Sequence, residues 1–75
     1  MISRKVFSQR LYELRQNKNI SHEKLANELG LTRATVSHWE SGLRLPSLEV
    51  ATALADFFDV SLDYLVGRSD NPRRR

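Results

Sequence analysis

The sequence predicts an all-α fold: a compact bundle of five short helices forming one domain. Three observations carry this. Seventy-five residues allow one small domain and no more. Apolar residues recur at helical spacing, and no stretch alternates with period two. Ser, Thr, Asn and Gly punctuate the chain at intervals that suit short, individually capped helices. A chain of this size lies near the lower limit of independent stability, so a second copy or a ligand is expected to help hold it.

Phe7, Leu11 and Leu14 fall at i, i+4 and i+7 of a first helix ending near Lys18. Asn19 follows where a left-handed C-cap is expected, a conformation asparagine tolerates better than most residues. Ser21 is the N-cap candidate of a second helix, whose buried stripe is Leu25, Ala26 and Leu29 and whose stop is Gly30. Thr32 caps a third helix with Val36 and Trp39 as its apolar pair, ended by Gly42. Pro46-Ser47 opens a fourth, buried through Leu48, Ala51, Leu54, Ala55 and Phe58. After Asp59 and Val60, Ser61 caps a last turn through Leu62 and Leu65, stopped by Gly67.

The expected core is Leu11, Leu14, Leu25, Leu29, Val36, Trp39, Leu54 and Phe58. Residues 68–75 contain no apolar residue, so residues 1–67 are expected to form the domain and 68–75 a disordered basic tail. Only Gly30-Leu31 separates the second helix from the Thr32 cap. Helices joined so tightly cannot lie antiparallel and must cross steeply, which is a helix-turn-helix over about residues 22–41.

Composition removes several function classes. The chain is 40% hydrophobic and 28% charged, a globular balance, and has no cysteine for disulfides or Cys-based zinc sites. Its longest apolar runs, such as Val50–Leu54 with Thr52 inside, are too short to span a bilayer. Met1-Ile-Ser-Arg-Lys5 lacks the apolar stretch of a secretory signal, so a cytoplasmic protein is expected. The two histidines, His22 and His38, lack the spacing of a metal-binding pair, and no metal or cofactor is expected. There is no glycine-rich phosphate loop or nucleophile elbow, so the chain is not expected to be an enzyme.

Charge is uneven along the chain. Residues 1–20 hold five basic groups and one acid, residues 47–66 hold four acids and no base, and the last nine hold four arginines and Asp70. This suggests one face for an anionic partner and another for something else, or else an ordinary solvated surface.

On a wheel at about 100° per residue, Val36 and Trp39 of the third helix point inward together. Opposite them lie Arg33, Ala34, Ser37 and His38. A guanidinium fork can read the O6/N7 edge of guanine, a methyl side chain can touch thymine, and Ser and His can donate or accept. No long acidic side chain on that face repels phosphates. The helix is roughly 13 Å long, enough to lie in a major groove about 12 Å wide.

The run from His22 through Ala26, Gly30, Val36 and Trp39 to Ser41 resembles the helix-turn-helix of Cro/phage-repressor-type (XRE-family) transcriptional regulators. The similarity extends over roughly residues 7–66, including Arg10-Leu-Tyr-Glu-Leu-Arg15, Pro46-Ser-Leu-Glu49 and Val60-Ser-Leu-Asp-Tyr64. It implies a lambda-repressor-like fold in which Arg33, Ala34, Ser37 and His38 read bases, with Thr35 at the edge of the set. Ser21, His22 and Thr32 then stand near the backbone, with Ser41 and Arg44 as further phosphate contacts. Arg15 and Glu40 resemble the family's semi-buried ion pair.

The sequence departs from the family pattern at several positions, of which the loop after Gly42 and His22 bear on affinity. Asn19 and Asp59 replace frequent glycines, and Leu43-Arg44-Leu45 replaces a more basic loop. His22 replaces a common glutamine, and would donate to phosphate in either protonation state, more strongly below about pH 6.5.

Val50, Ala53 and Phe57 lie off the main stripe of the fourth helix, and Leu62 and Tyr64 follow it. They either complete the chain's own core or form an isologous dimer patch, with Phe57, Leu62 and Tyr64 as the contacts. A homodimer is the expected reading, because one short helix reads few base pairs. Arg73-Arg74-Arg75 adds phosphate contacts or serves only as a solubilising end. The whole predicts a sequence-specific repressor of double-stranded DNA on an inverted-repeat operator, bacterial or phage-encoded and nucleoid-associated when bound. The alternative is an antitoxin or anti-regulator whose main partner is another protein, held by the Leu43/Leu45 loop or the acidic helix.

Overall fold

The computed structural model describes residues 3–74, so Met1 and Ile2 of the leader reading and Arg75 of the basic tail lie outside the described residues. Among the described residues five helices follow one another: α1 (Arg4–Asn17), α2 (His22–Leu29), α3 (Arg33–Glu40), α4 (Leu48–Phe58) and α5 (Leu62–Leu65). No strand occurs among the described residues. None of the described helices is long and apolar enough to cross a membrane.

Every helix begins with the same device. Ser3, Ser21, Thr32, Ser47 and Ser61 each stand in an extended conformation, and each side-chain oxygen accepts from the backbone N–H three residues on. Each cap satisfies one of the orphan donors of a helix start and contributes about 1 kcal/mol. The chain reverses where it adopts positive φ, and among the described residues non-glycine residues do this twice, at Asn19 (φ 56°) and Asp59 (φ 55°). Both carry short polar side chains, which lessen the strain of the left-handed region.

The core joins Phe7 and Leu11 of α1, Leu25 and Ala26 of α2, Val36 and Trp39 of α3, and Leu54, Ala55 and Phe58 of α4 to Val60 and Leu65. The expected core members Leu14 and Leu29 are only partly buried and pack on its rim. Leu48 departs furthest from expectation. It is the first residue of α4 and 75% exposed, because the buried stripe begins one turn later at Ala51.

Residues 68–74 form no helix, yet they do not hang free as the composition suggests. Ser61 N–H donates to the Pro72 carbonyl at 2.9 Å, and Arg74 donates to the carbonyls of Ala55 and Val60 and to Asp56. From the other side, the Arg10 guanidinium donates to the carbonyls of Tyr64 and Ser69 and to Asp70, and lies 4.1 Å over the Tyr64 ring. A segment without apolar residues is thus seated by arginine-to-carbonyl bonds, which leave no pattern in hydropathy.

Candidate nucleic-acid interface

The corner made by α2 and α3 is set by its connection. Gly30 closes α2 in the left-handed region (φ 69°, ψ 31°), and Leu31 N–H returns to the Ala26 carbonyl at 2.8 Å. Thr32 then starts α3 at once. Val36 and Trp39 are buried, which fixes the rotation of α3 about its own axis and turns its opposite face outward. On that face Arg33 and Ala34 are exposed, while Thr35, Ser37 and His38 are half-buried. Arg33 and Arg44 make no ion pair with any described residue.

The hydroxyls around α3 differ in what they can still do. Thr32 Oγ1 accepts from Thr35 N–H and lies 2.9 Å from Thr35 Oγ1, so the two hydroxyls share a hydrogen bond at the start of α3. Ser41 donates its hydroxyl proton to the His38 carbonyl at 3.1 Å, and must turn before it can donate to a phosphate. Ser21 only accepts, from Lys24 N–H, and its own proton remains available.

Behind this face lies a polar network joining three helices. Arg15 of α1 meets Glu40 of α3 through two bonds, Nε to Oε2 at 2.6 Å and Nη2 to Oε1 at 3.0 Å. Its third arm donates to the Ile20 carbonyl at 2.8 Å, tying in the turn before α2. His22, the first residue of α2, completes the set with Nε2 3.0 Å from Glu40 Oε1. The side chains of Arg15 and Glu40 are only 9% and 8% exposed. Burial alone would push the Glu40 carboxyl up, but the hydrogen bonds and charges of Arg15 and His22 outweigh it and hold the carboxyl below its ordinary range. The same bond to Glu40 raises Arg15 against the effect of its own burial.

The bonds from Arg15 to Ile20 and from His22 to Glu40 were not foreseen from sequence. Both depend on how α1 and α2 approach α3, and residue spacing along one helix does not report that approach. Phe57, Leu62 and Tyr64 are half-buried within the single chain. Phe57 meets Phe58 edge-on at 5.0 Å and has Lys18 Nζ 5.5 Å from its ring, Leu62 packs against the core, and Tyr64 lies under Arg10.

Comparison with known proteins agrees with this architecture. A profile of the helix-turn-helix family HTH_3 matches residues 11–65. The HTH-type transcriptional regulator AnsR of Bacillus subtilis is 49% identical over 59 residues, covering 79% of this chain and 51% of its own. The cryptic phage CTXphi transcriptional repressor RstR of Vibrio cholerae is 32% identical over 65 residues, covering 87% of this chain and 59% of its own. The HTH-type transcriptional activator BcrR of Enterococcus faecalis is 38% identical over 60 residues, covering 80% of this chain and 29% of its own. This chain thus spans between 29% and 59% of the length of these three curated relatives. Among solved structures, the P22 c2 repressor in complex with a synthetic operator superposes with a TM-score of 0.80 at 25% identity, covering 85% of this chain and 97% of that one. With the profile spanning most of its length and the five-helix architecture agreeing, the chain belongs to the XRE-type helix-turn-helix family of transcriptional regulators.

Proposed function

We propose that this chain binds double-stranded DNA sequence-specifically and represses transcription, as a homodimer on a two-fold operator whose half-sites lie about one helical turn (roughly 34–36 Å) apart. Helix α3 enters the major groove, Arg33, Ala34, Ser37 and His38 read base edges with Thr35 at their margin, and Ser21, His22, Thr32, Ser41 and Arg44 meet phosphates. The observation that carries this is the outward set of α3, with an exposed Arg33 that forms no ion pair among the described residues, beside Ala34 on the face opposite buried Val36 and Trp39. The operator-bound P22 c2 repressor, of similar fold, supports it. The dimer contacts are Phe57, Leu62 and Tyr64.

In vitro selection of random duplex DNA on the purified chain tests the whole reading. An enriched inverted repeat is the expected result. A pool that binds without enrichment and releases steeply with salt would leave phosphate contacts alone. The second reading, a module whose main partner is a protein, rests on Leu43, which is 64% exposed in the loop after α3 where a phosphate-binding loop would be basic. DNA binding that requires a co-purifying protein would favour it.

A further inference from the structure

We infer that His22 is a proton-gated phosphate contact, so that DNA binding by this chain takes up a proton at that imidazole. The inference rests on the DNA-binding reading above and concerns how that surface is regulated. It stands on the His22–Glu40 geometry. His22 Nε2 lies 3.0 Å from Glu40 Oε1, and that carboxylate is already engaged with Arg15. An ionised carboxylate only accepts, so the proton of a neutral His22 must sit on Nε2. The other ring nitrogen, Nδ1, then carries a bare lone pair.

Nδ1 has no partner among the described residues, and no buried side-chain nitrogen or oxygen among them lacks one, so Nδ1 is open to solvent. A phosphate oxygen accepts and does not donate, so neutral His22 offers it no hydrogen bond. Protonation places a proton on Nδ1 while Nε2–H stays on Glu40, and the imidazolium donates to both anions at once. The expectation from sequence alone, that His22 donates to phosphate in either protonation state, is narrowed by the Glu40 bond to the charged state.

The charged and titratable groups around His22 come from each helix at the corner. Glu40 faces it from α3, and behind that carboxylate stands Arg15 of α1, whose guanidinium lies 5.6 Å from the Tyr12 ring. On α2 itself Glu23 is adjacent, and Lys24 is paired with Glu28 at 3.1 Å. Glu40 is therefore the anion held directly against the ring, with its charge shared by Arg15. The approaching phosphate supplies the further negative charge that favours the imidazolium.

The test is the affinity of the full chain for a mixed-sequence DNA duplex at low salt, measured between about pH 8 and pH 6, the range in which imidazole side chains gain their proton. Wild type is expected to bind roughly tenfold more tightly at the lower pH, within the limit of tenfold per pH unit that uptake of one proton allows. His22→Gln is expected to lose this dependence and still bind, because its amide can donate to Glu40 and to phosphate without titrating. His38→Gln is expected to keep it, which separates His22 from the other histidine near the groove. Added DNA should move the imidazole resonance of His22 toward that of the charged ring.

A pH dependence that survives in a folded His22→Gln variant, or a His22 resonance that DNA does not move, would overturn the proton gate while leaving DNA binding intact. Absence of binding at every pH would overturn the gate together with the DNA-binding reading.

Discussion

Two arginines on α1, five residues apart, tie down two different ends of the chain fold, the α2–α3 corner and the α5 segment, and the ties differ in kind. Arg15 holds the α2–α3 corner through a nearly buried carboxylate and the Ile20 carbonyl. Arg10 holds α5 and the following segment through two backbone carbonyls, the Tyr64 ring and Asp70, a carboxylate wholly open to water. At the first end the charge is matched by an opposite charge that is nearly buried. At the second it is met by two carbonyls, an aromatic ring and one carboxylate open to water. The proposed DNA-reading corner is therefore bound by an interaction that is costly to break, and the far end by one that can be lost piecemeal.

The largest expected effect breaks the first tie. Arg15→Ala should cost about 3–5 kcal/mol of stability in urea unfolding, because Glu40 would be left buried with only His22 against it. Replacing both partners with apolar residues (Arg15→Met with Glu40→Leu) should recover most of that loss. If the single variant unfolded like wild type, the contrast between the two ends would collapse. The same pair gives the corner an acid limit. The folded Glu40 carboxyl lies below its ordinary range, so the unfolded chain binds the extra proton first as pH falls. The stabilisation is therefore complete above the ordinary glutamate range and is lost as pH drops through the lowered folded value. Melting curves across acid pH should show this limb, and Glu40→Gln should flatten it.

Next in size is a change at the outward face that leaves both ties alone. Arg33→Ala should cost about 1–3 kcal/mol of binding to a selected operator, relax preference at one base pair, and leave the melting temperature in place. Equal binding to every site would mean that α3 is turned otherwise on DNA. Arg10→Ala should cost about 1–2 kcal/mol of stability, since water can reach the carbonyls it leaves and one cation–π contact is lost. A loss as large as that of Arg15→Ala would show the second end to be held as tightly as the first. Arg74→Ala should have the smallest effect, below about 1 kcal/mol, because its ion pairs with Asp56 and Asp59 are exposed. Proteolysis of residues 68–74 should nevertheless quicken as that anchor goes.

The helices and four of their five caps were legible because each rests on chemistry within a few residues. Ser21, Thr32, Ser47 and Ser61 announce helix starts by their own oxygens, and Gly30 marks a left-handed exit. Leu48 was misread because periodicity says which side of a helix an apolar residue lies on, and says nothing of whether another element reaches that turn. Leu65 and Val60, which follow α4, belong to the core, yet the stripe of no long helix points to them. The outward set of α3 was legible as the complement of Val36 and Trp39, since burying one face of a helix fixes the other.

The sequence by itself determined five helices, four of their five N-caps and the face of α3 opposite Val36 and Trp39, because helical period and capping are local properties. Tertiary structure alone decided that His22 reaches Glu40, that Arg15 also holds Ile20, and that Arg10 and Arg74 seat residues 68–74. Each of these contacts joins groups whose meeting depends on the angle between helices or on the path of an irregular segment. Hydrogen bonds from charged side chains to distant partners leave no periodic trace in the sequence, so only the packed chain reveals which groups they join.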